Sequence, residues 1–163
     1  MTAFENRYFL VRAVTWAAGQ GLAQFVDLGA GTPLHKSSTR VLEDIHPTAQ
    51  AANPSVRVAY IDNDRIFVAR SKAFRATAKG VAVAEADLTD PASVLAHRGV
   101  RAVIDPAEPV CPVFGLVLSL MPARQAREVV ARMPRCASGG PGGPDRLPRR
   151  RASYARLMTC ANM

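Results

Sequence analysis

Phe25-Val26-Asp27-Leu28-Gly29-Ala30-Gly31 is a short β-prone run that drives straight into a glycine turn. Two glycines one residue apart let the backbone reach positive φ and leave no side chain in the way of a close neighbour. The residues before this stretch predict a helix over 6–18. Leu10, Val11, Val14, Ala17 and Ala18 repeat at helical spacing there, and Gly19 and Gly21 supply the stop. Residues 32–40 are polar and predict a loop, followed by a short helix over 47–52 that Asn53-Pro54 ends.

The alternation of strand and helix continues downstream. Val56 to Ile61 predicts a second strand, with Asp62-Asn63-Asp64 at its C-terminal end. Asn63 or Asp64 can cap a third helix reaching to about Ala76, with Ile66, Phe67, Ala69, Ala73 and Phe74 on its apolar side. Val81 to Ala84 predicts strand three, followed by Glu85-Ala86-Asp87. Asp90-Pro91 is a helix start, the acid as cap and proline at the first helical position. Val113 to Leu120 predicts strand four, almost without alternation, as expected when both faces are covered. Pro122 opens a last helix over 123–131. Such a chain is α/β, an open and mainly parallel sheet of βαβ units with about four core strands.

At Arg132 the composition changes. Residues 132–151 hold four prolines, four glycines and no hydrophobic period, too little apolar surface to offset the entropy of ordering. The expected organisation is therefore one domain over 1–131 and a disordered tail over 132–163. The tail also explains the net charge of +8. It carries seven arginines against one acid, leaving 14 basic and 12 acidic side chains in 1–131. A body so close to neutral does not predict specific nucleic-acid binding. Three cysteines without a C-x-x-C pair exclude a zinc ribbon and a disulfide framework, and suit a reducing cytoplasm. The longest apolar run, Val110 to Met121, falls short of the roughly 20 residues a membrane helix needs. No histidine pair has metal-ligand spacing, and no G-x-S-x-G is present.

Three acids share one place in this architecture. Asp27 lies at the strand-one turn, Asp62 after strand two and Asp87 after strand three. All three sit at the carboxyl edge of the sheet, where ligands bind in open α/β folds. An acid after strand two can accept both hydroxyls of a ribose, and one after strand three can accept an adenine amine. The dinucleotide fingerprint G-x-G-x-x-G, and with it an NAD-dependent oxidoreductase, fits less well. Leu34 stands where its third glycine would be, and the ribose acid comes 31 residues after Gly31 rather than about 20. Asp27 would repel a pyrophosphate but suits a cationic amino or sulfonium group. The best-fitting cofactor is S-adenosyl-L-methionine.

Asp27-Leu-Gly-Ala-Gly-Thr-Pro33, Val58-Ala-Tyr-Ile-Asp-Asn-Asp64, Glu85-Ala-Asp-Leu-Thr-Asp-Pro91 and Phe114-Gly-Leu-Val-Leu-Ser-Leu-Met-Pro122 together resemble a known family. It is a bacterial family of S-adenosylmethionine-dependent methyltransferases, first catalogued as a domain of unknown function, and the likeness covers about residues 6–131. The resemblance implies a Rossmann-like sheet of the class I methyltransferase type. It also implies that Gly29 and Gly31 face the methionine portion, that Asp62 holds the ribose, and that Asp87 with the backbone of Leu88 reads the adenine. The candidate cofactor-binding residues are thus Asp27, Gly29, Gly31, Asp62, Asn63, Asp87 and Leu88. His46 matches a family histidine without an assigned role.

There are also departures from the family pattern. A preceding tyrosine- and glycine-rich segment and three further strands are missing, and Ser119 replaces a common histidine. They imply a truncated or frame-shifted product. The expected function is cofactor binding and methyl transfer to an acceptor that no motif identifies. The alternative is a non-catalytic remnant of such an enzyme.

Overall fold

The computed structural model describes residues 3–33 and 44–133. Helix α1 (Ala3–Gly19) leads into strand β1 (Gln24–Leu28), and α2 (Ile45–Ala52) into β2 (Arg57–Asp62). Then come α3 (Arg65–Arg75), β3 (Val81–Glu85), α4 (Pro91–Ala96), α5 (Arg98–Arg101) and β4 (Cys111–Phe114). A 3-10 helix, Leu116–Leu120, and α6 (Ala123–Arg132) close the described chain. The four strands form an all-parallel open sheet in the order β3-β2-β1-β4. The chain moves outward from β1 through β2 to β3, then returns to add β4 on the other side of β1. Strand order reverses there, the place where open α/β sheets bind ligands beyond the carboxyl ends of their strands.

Alternate residues of the central strands feed two cores. One joins Phe25, Val58, Tyr60 and Val113 to Leu10, Val14 and Ala17 of α1 and to Ile45 and Ala49 of α2. The other joins Val26, Leu28, Ala59, Ile61 and Phe114 to Val94, Val100, Leu118 and Val129. Both faces of the sheet are covered, which is why the strands are apolar throughout rather than alternating.

The helix starts follow local chemistry. Of the two cap candidates for α3, the structure selects Asp64, whose carboxylate accepts from the Ile66 and Phe67 amides. Asp90 caps α4 through the Ser93 amide, with Pro91 in the first turn. Three expectations need correction. The apolar run Val113 to Leu120 is not one strand. The strand runs Cys111–Phe114, and after Gly115 the chain turns into the 3-10 helix. A continuous apolar run has no period with which to tell strand from helix. The four-residue helix α5 was not anticipated. Finally, α3 does not bury Ile66 and Phe74, which are 64% and 54% exposed. Its inward residues are Val68, Ser71 and Arg75.

Helix α6 extends to Arg132 and Met133 is buried against the second core, so the described fold runs two residues past the expected boundary at 131. The rest of the expected tail, 134–163, and most of the expected polar loop lie outside the described residues. No helix among the described residues is long and apolar enough to cross a membrane.

Candidate functional site

At the carboxyl edge, β1 ends in a turn that docks on its neighbour. The amides of Gly29 and Ala30 both donate to the Ile61 carbonyl, at 2.9 and 3.0 Å. This draws Gly31 alongside Asp62, the last residue of β2. The Gly31 amide donates to Asp62 Oδ2 at 2.9 Å, and the Asp64 amide donates to Oδ1 at 3.0 Å. A carboxylate has about four acceptor positions, so each Asp62 oxygen keeps one for a further donor. Asn63 beside it is exposed.

Beyond β3, Asp87 is exposed, and its Oδ1 accepts from the Thr89 amide at 2.8 Å. Leu88 packs its side chain on the second core, while its amide donates to no described residue. The structure thus brings Gly31 and Asp62 into direct contact. Asp87 and Leu88 sit further along the same edge, after the strand that pairs Asp62 with Glu85.

The two glycines differ. Both have left-handed φ, +70° at Gly29 and +61° at Gly31, a conformation that costs an L side chain roughly 1–2 kcal/mol. A Cβ on Gly29 would lie 2.5 Å from Val117 Cγ2 and 2.7 Å from Val117 Cβ, so Gly29 makes room for the 3-10 helix. A Cβ on Gly31 would meet nothing within 4 Å among the described residues. Among the described residues the open space at this edge is therefore next to Gly31.

Asp27 is inside β1 rather than in the turn, and only 1% exposed. A cation of the protein stands beside it, since Arg7 of α1 reaches it at 3.4 Å from Nη1 to Oδ2. Arg7 Nη2 also donates to the Ala30 carbonyl and approaches Asp44. Asp44 holds the side chain of Arg75 in a two-pronged pair, Nε to Oδ2 and Nη2 to Oδ1, both 2.8 Å. Arg75 is fully buried and stacks over the Tyr60 ring, 4.0 Å from its centre. The Tyr60 hydroxyl accepts from the His46 amide and lies 2.8 Å from His46 Nδ1.

Burial governs the titration of these groups. Desolvation pushes the Asp27 carboxyl above its ordinary value, against the opposing pull of Arg7 and Arg75. Desolvation also raises the Tyr60 phenol, with Asp44 adding to it, so the phenol stays protonated. For Arg75 desolvation acts downward, but the hydrogen bond and charge of Asp44 outweigh it and the guanidinium stays charged.

A pH prediction follows for Asp27. A carboxyl whose folded value is raised binds its proton more tightly in the native state. Its contribution to stability is complete below the unfolded value and is lost as pH rises through the folded one. Asp27→Asn mimics the protonated form. Urea melts at neutral pH should find this variant as stable as the wild type or more so, with the advantage vanishing in acid. A clear loss at neutral pH would show that the charge itself is needed for folding.

Arg7, Asp44, Ser71 and Arg75 were missed in the sequence. The cationic end of α3 reads as a solvated last turn, and an acid before a helix reads as a cap. Asp44 stands at the cap position of α2 but makes no side-chain cap bond, being engaged by Arg75. The available signal was the spacing of Val68, Ser71 and Arg75 on one helical face. Among the described residues no group of three His, Cys, Asp or Glu side chains could hold a metal ion, and Cys111 is buried.

Comparison with known proteins gives consistent results. The sequence model of a family described as S-adenosyl methyltransferase matches residues 1–141. A crystal structure of a candidate methyltransferase from Thermobifida fusca YX superposes with a TM-score of 0.67 at 29% identity. The match covers 98% of this chain and 59% of that one. A DUF574 family protein from Streptomyces avermitilis MA-4680 superposes at 0.66 with 33% identity, covering 81% of this chain and 51% of that one. The chain thus spans between half and three fifths of the length of these two proteins. No curated protein matches the sequence.

Proposed function

The chain belongs to the S-adenosyl methyltransferase family, and from that premise we propose that it binds S-adenosyl-L-methionine along the carboxyl edge of the sheet and serves methyl transfer. The observation that carries this reading is the Gly31–Asp62 contact beside open space. A carboxylate with spare acceptor positions stands at the end of β2, next to a turn that bears no side chain on that side. Those features fit the cofactor. Asp62 would accept the ribose hydroxyls, with Asn63 alongside. Asp87 and the Leu88 amide, which donates to no described residue, would take the donor and acceptor of the adenine edge. Gly31 would leave room for the methionine portion, while Gly29 lets the 3-10 helix wall the crevice through Val117. Asp27 acts behind the turn, through Arg7.

When bound, the cofactor supplies a methyl group on a positively charged sulfur, already joined to a good leaving group. The protein's part is to bind, orient and keep the reacting groups close, which can supply most of the rate in such a transfer. The methyl acceptor would enter from the open side of the crevice, between the ends of β1 and β4.

The test is calorimetric titration with S-adenosylhomocysteine, with thermal melts in its presence and in the presence of NAD. Asp62→Ala should weaken binding by about 1.5–3 kcal/mol, the range for hydrogen bonds to a charged group. A saturating ligand at a hundred times its Kd should stabilise the wild type by about 2.7 kcal/mol, whereas NAD should leave the melt unchanged. Wild-type affinity in Asp62→Ala, or a shift with NAD alone, would overturn the assignment.

A further inference from the structure

The Ala30 carbonyl and the Gly31 amide belong to one peptide unit, which is planar, so holding either end orients the other. Arg7 Nη2 donates to that carbonyl at 3.1 Å. On the opposite end the Gly31 amide meets Asp62 Oδ2 at 2.9 Å. This plane turns about ψ of Ala30 and φ of Gly31, and Gly31 lacks the Cβ that would resist the rotation, so its direction depends on what grips it. Arg75 Nη1 and Ser71 Oγ lie 3.3 and 3.4 Å from the next carbonyl, that of Gly31. Asp44 links the two arginines, bonded to Arg75 at 2.8 Å and to Arg7 at 3.4 Å.

We infer that Arg7 is a positioning residue for the cofactor, acting through the Ala30–Gly31 peptide to hold the Asp62 carboxylate in its binding orientation, with Arg75 steadying the following peptide. The inference rests on the proposed role of Asp62. Arg7 would exert its role through that peptide rather than by contact with the cofactor. Its other contact, with Asp27, could be no more than charge balance for a buried acid, and the test has to separate the two roles.

Three variants do so: Arg7→Met, the double variant Arg7→Met/Asp27→Asn, and Arg7→Lys. Arg7→Met leaves Asp27 buried without its cation and should lower the melting temperature. The double variant removes both charges and should restore it. Arg7→Lys keeps a cation near Asp27, but one ammonium does not reproduce the fork that spans Asp27 and Ala30. If Arg7 positions the peptide, all three should bind S-adenosylhomocysteine about tenfold more weakly. In the ligand-free protein all three should also exchange the Gly31 amide faster, while β2 amides remain protected. A double variant with wild-type affinity and wild-type Gly31 exchange would reduce Arg7 to charge balance and overturn the inference. If the wild type itself failed to bind, the ribose assignment would fall. Unaltered Gly31 exchange in the double variant overturns the Arg7 inference in either case.

Discussion

Gly31→Val should abolish S-adenosylhomocysteine binding at concentrations that saturate the wild type, while the far-ultraviolet circular dichroism stays close to the wild-type spectrum. The first Cβ at this position meets nothing within 4 Å among the described residues, so they leave room for the side chain. What the fold loses is the strain of a left-handed residue at φ +61°, roughly 1–2 kcal/mol and somewhat more for a branched one. The same space is where the methionine portion is proposed to lie, and a valine there competes with it directly. Gly29→Ala should behave in the opposite way. Its Cβ would sit 2.5 Å from a methyl of Val117, a stiff β-branched neighbour, so overpacking of about 1–3 kcal/mol adds to the left-handed strain. That variant should lose stability first and affinity only as a consequence. Binding within tenfold of wild type in Gly31→Val would mean that the turn serves the fold alone.

Asp44→Ala should cost about 3–5 kcal/mol of folding stability, the penalty for leaving a buried charge without its partner. Arg75 has no exposed surface, and Asp44 takes two of its nitrogens at 2.8 Å. The Tyr60 ring beneath it offers only a weaker cation–π contact, and its phenol stays neutral. Domains of this size are stable by about 5–15 kcal/mol, so the variant would lose a large share of its margin. Urea denaturation of the purified variant reads the effect. Losses nearer about 1 kcal/mol, as for exposed pairs, would mean that water reaches the guanidinium after the acid is removed.

The acids of the candidate site were legible because a parallel sheet brings the ends of its strands to one edge. Once Phe25–Leu28, Val56–Ile61 and Val81–Ala84 read as strands, the places of Asp62 and Asp87 follow without further information. The caps Asp64 and Asp90 were legible for a similar reason, since each bonds amides two or three residues away. Asp27 reads in the sequence as an acid suited to a cationic group of the cofactor. That Arg7, 20 residues upstream on another element, also stands beside it was not readable. The Val113–Leu120 run was misread as a single strand because its division depends on where β1 ends and where Val117 can pack on Gly29.

By itself the sequence determined the alternation of strands and helices, the glycine turn, and the edge at which Asp62 and Asp87 stand. These depend on hydrophobic period, on capping and on left-handed backbone, all local properties of neighbouring residues. Only the tertiary structure decided that α3 turns Arg75 inward while Ile66 and Phe74 face outward, and that Arg7 and Arg75 share Asp44 behind the turn. A guanidinium is buried only where an acid meets it, and Asp44 lies 31 residues from Arg75 along the chain. No window of local sequence contains both halves of that pair. The fold brings them together, with Arg75 on the same inward face of α3 as Val68 and Ser71.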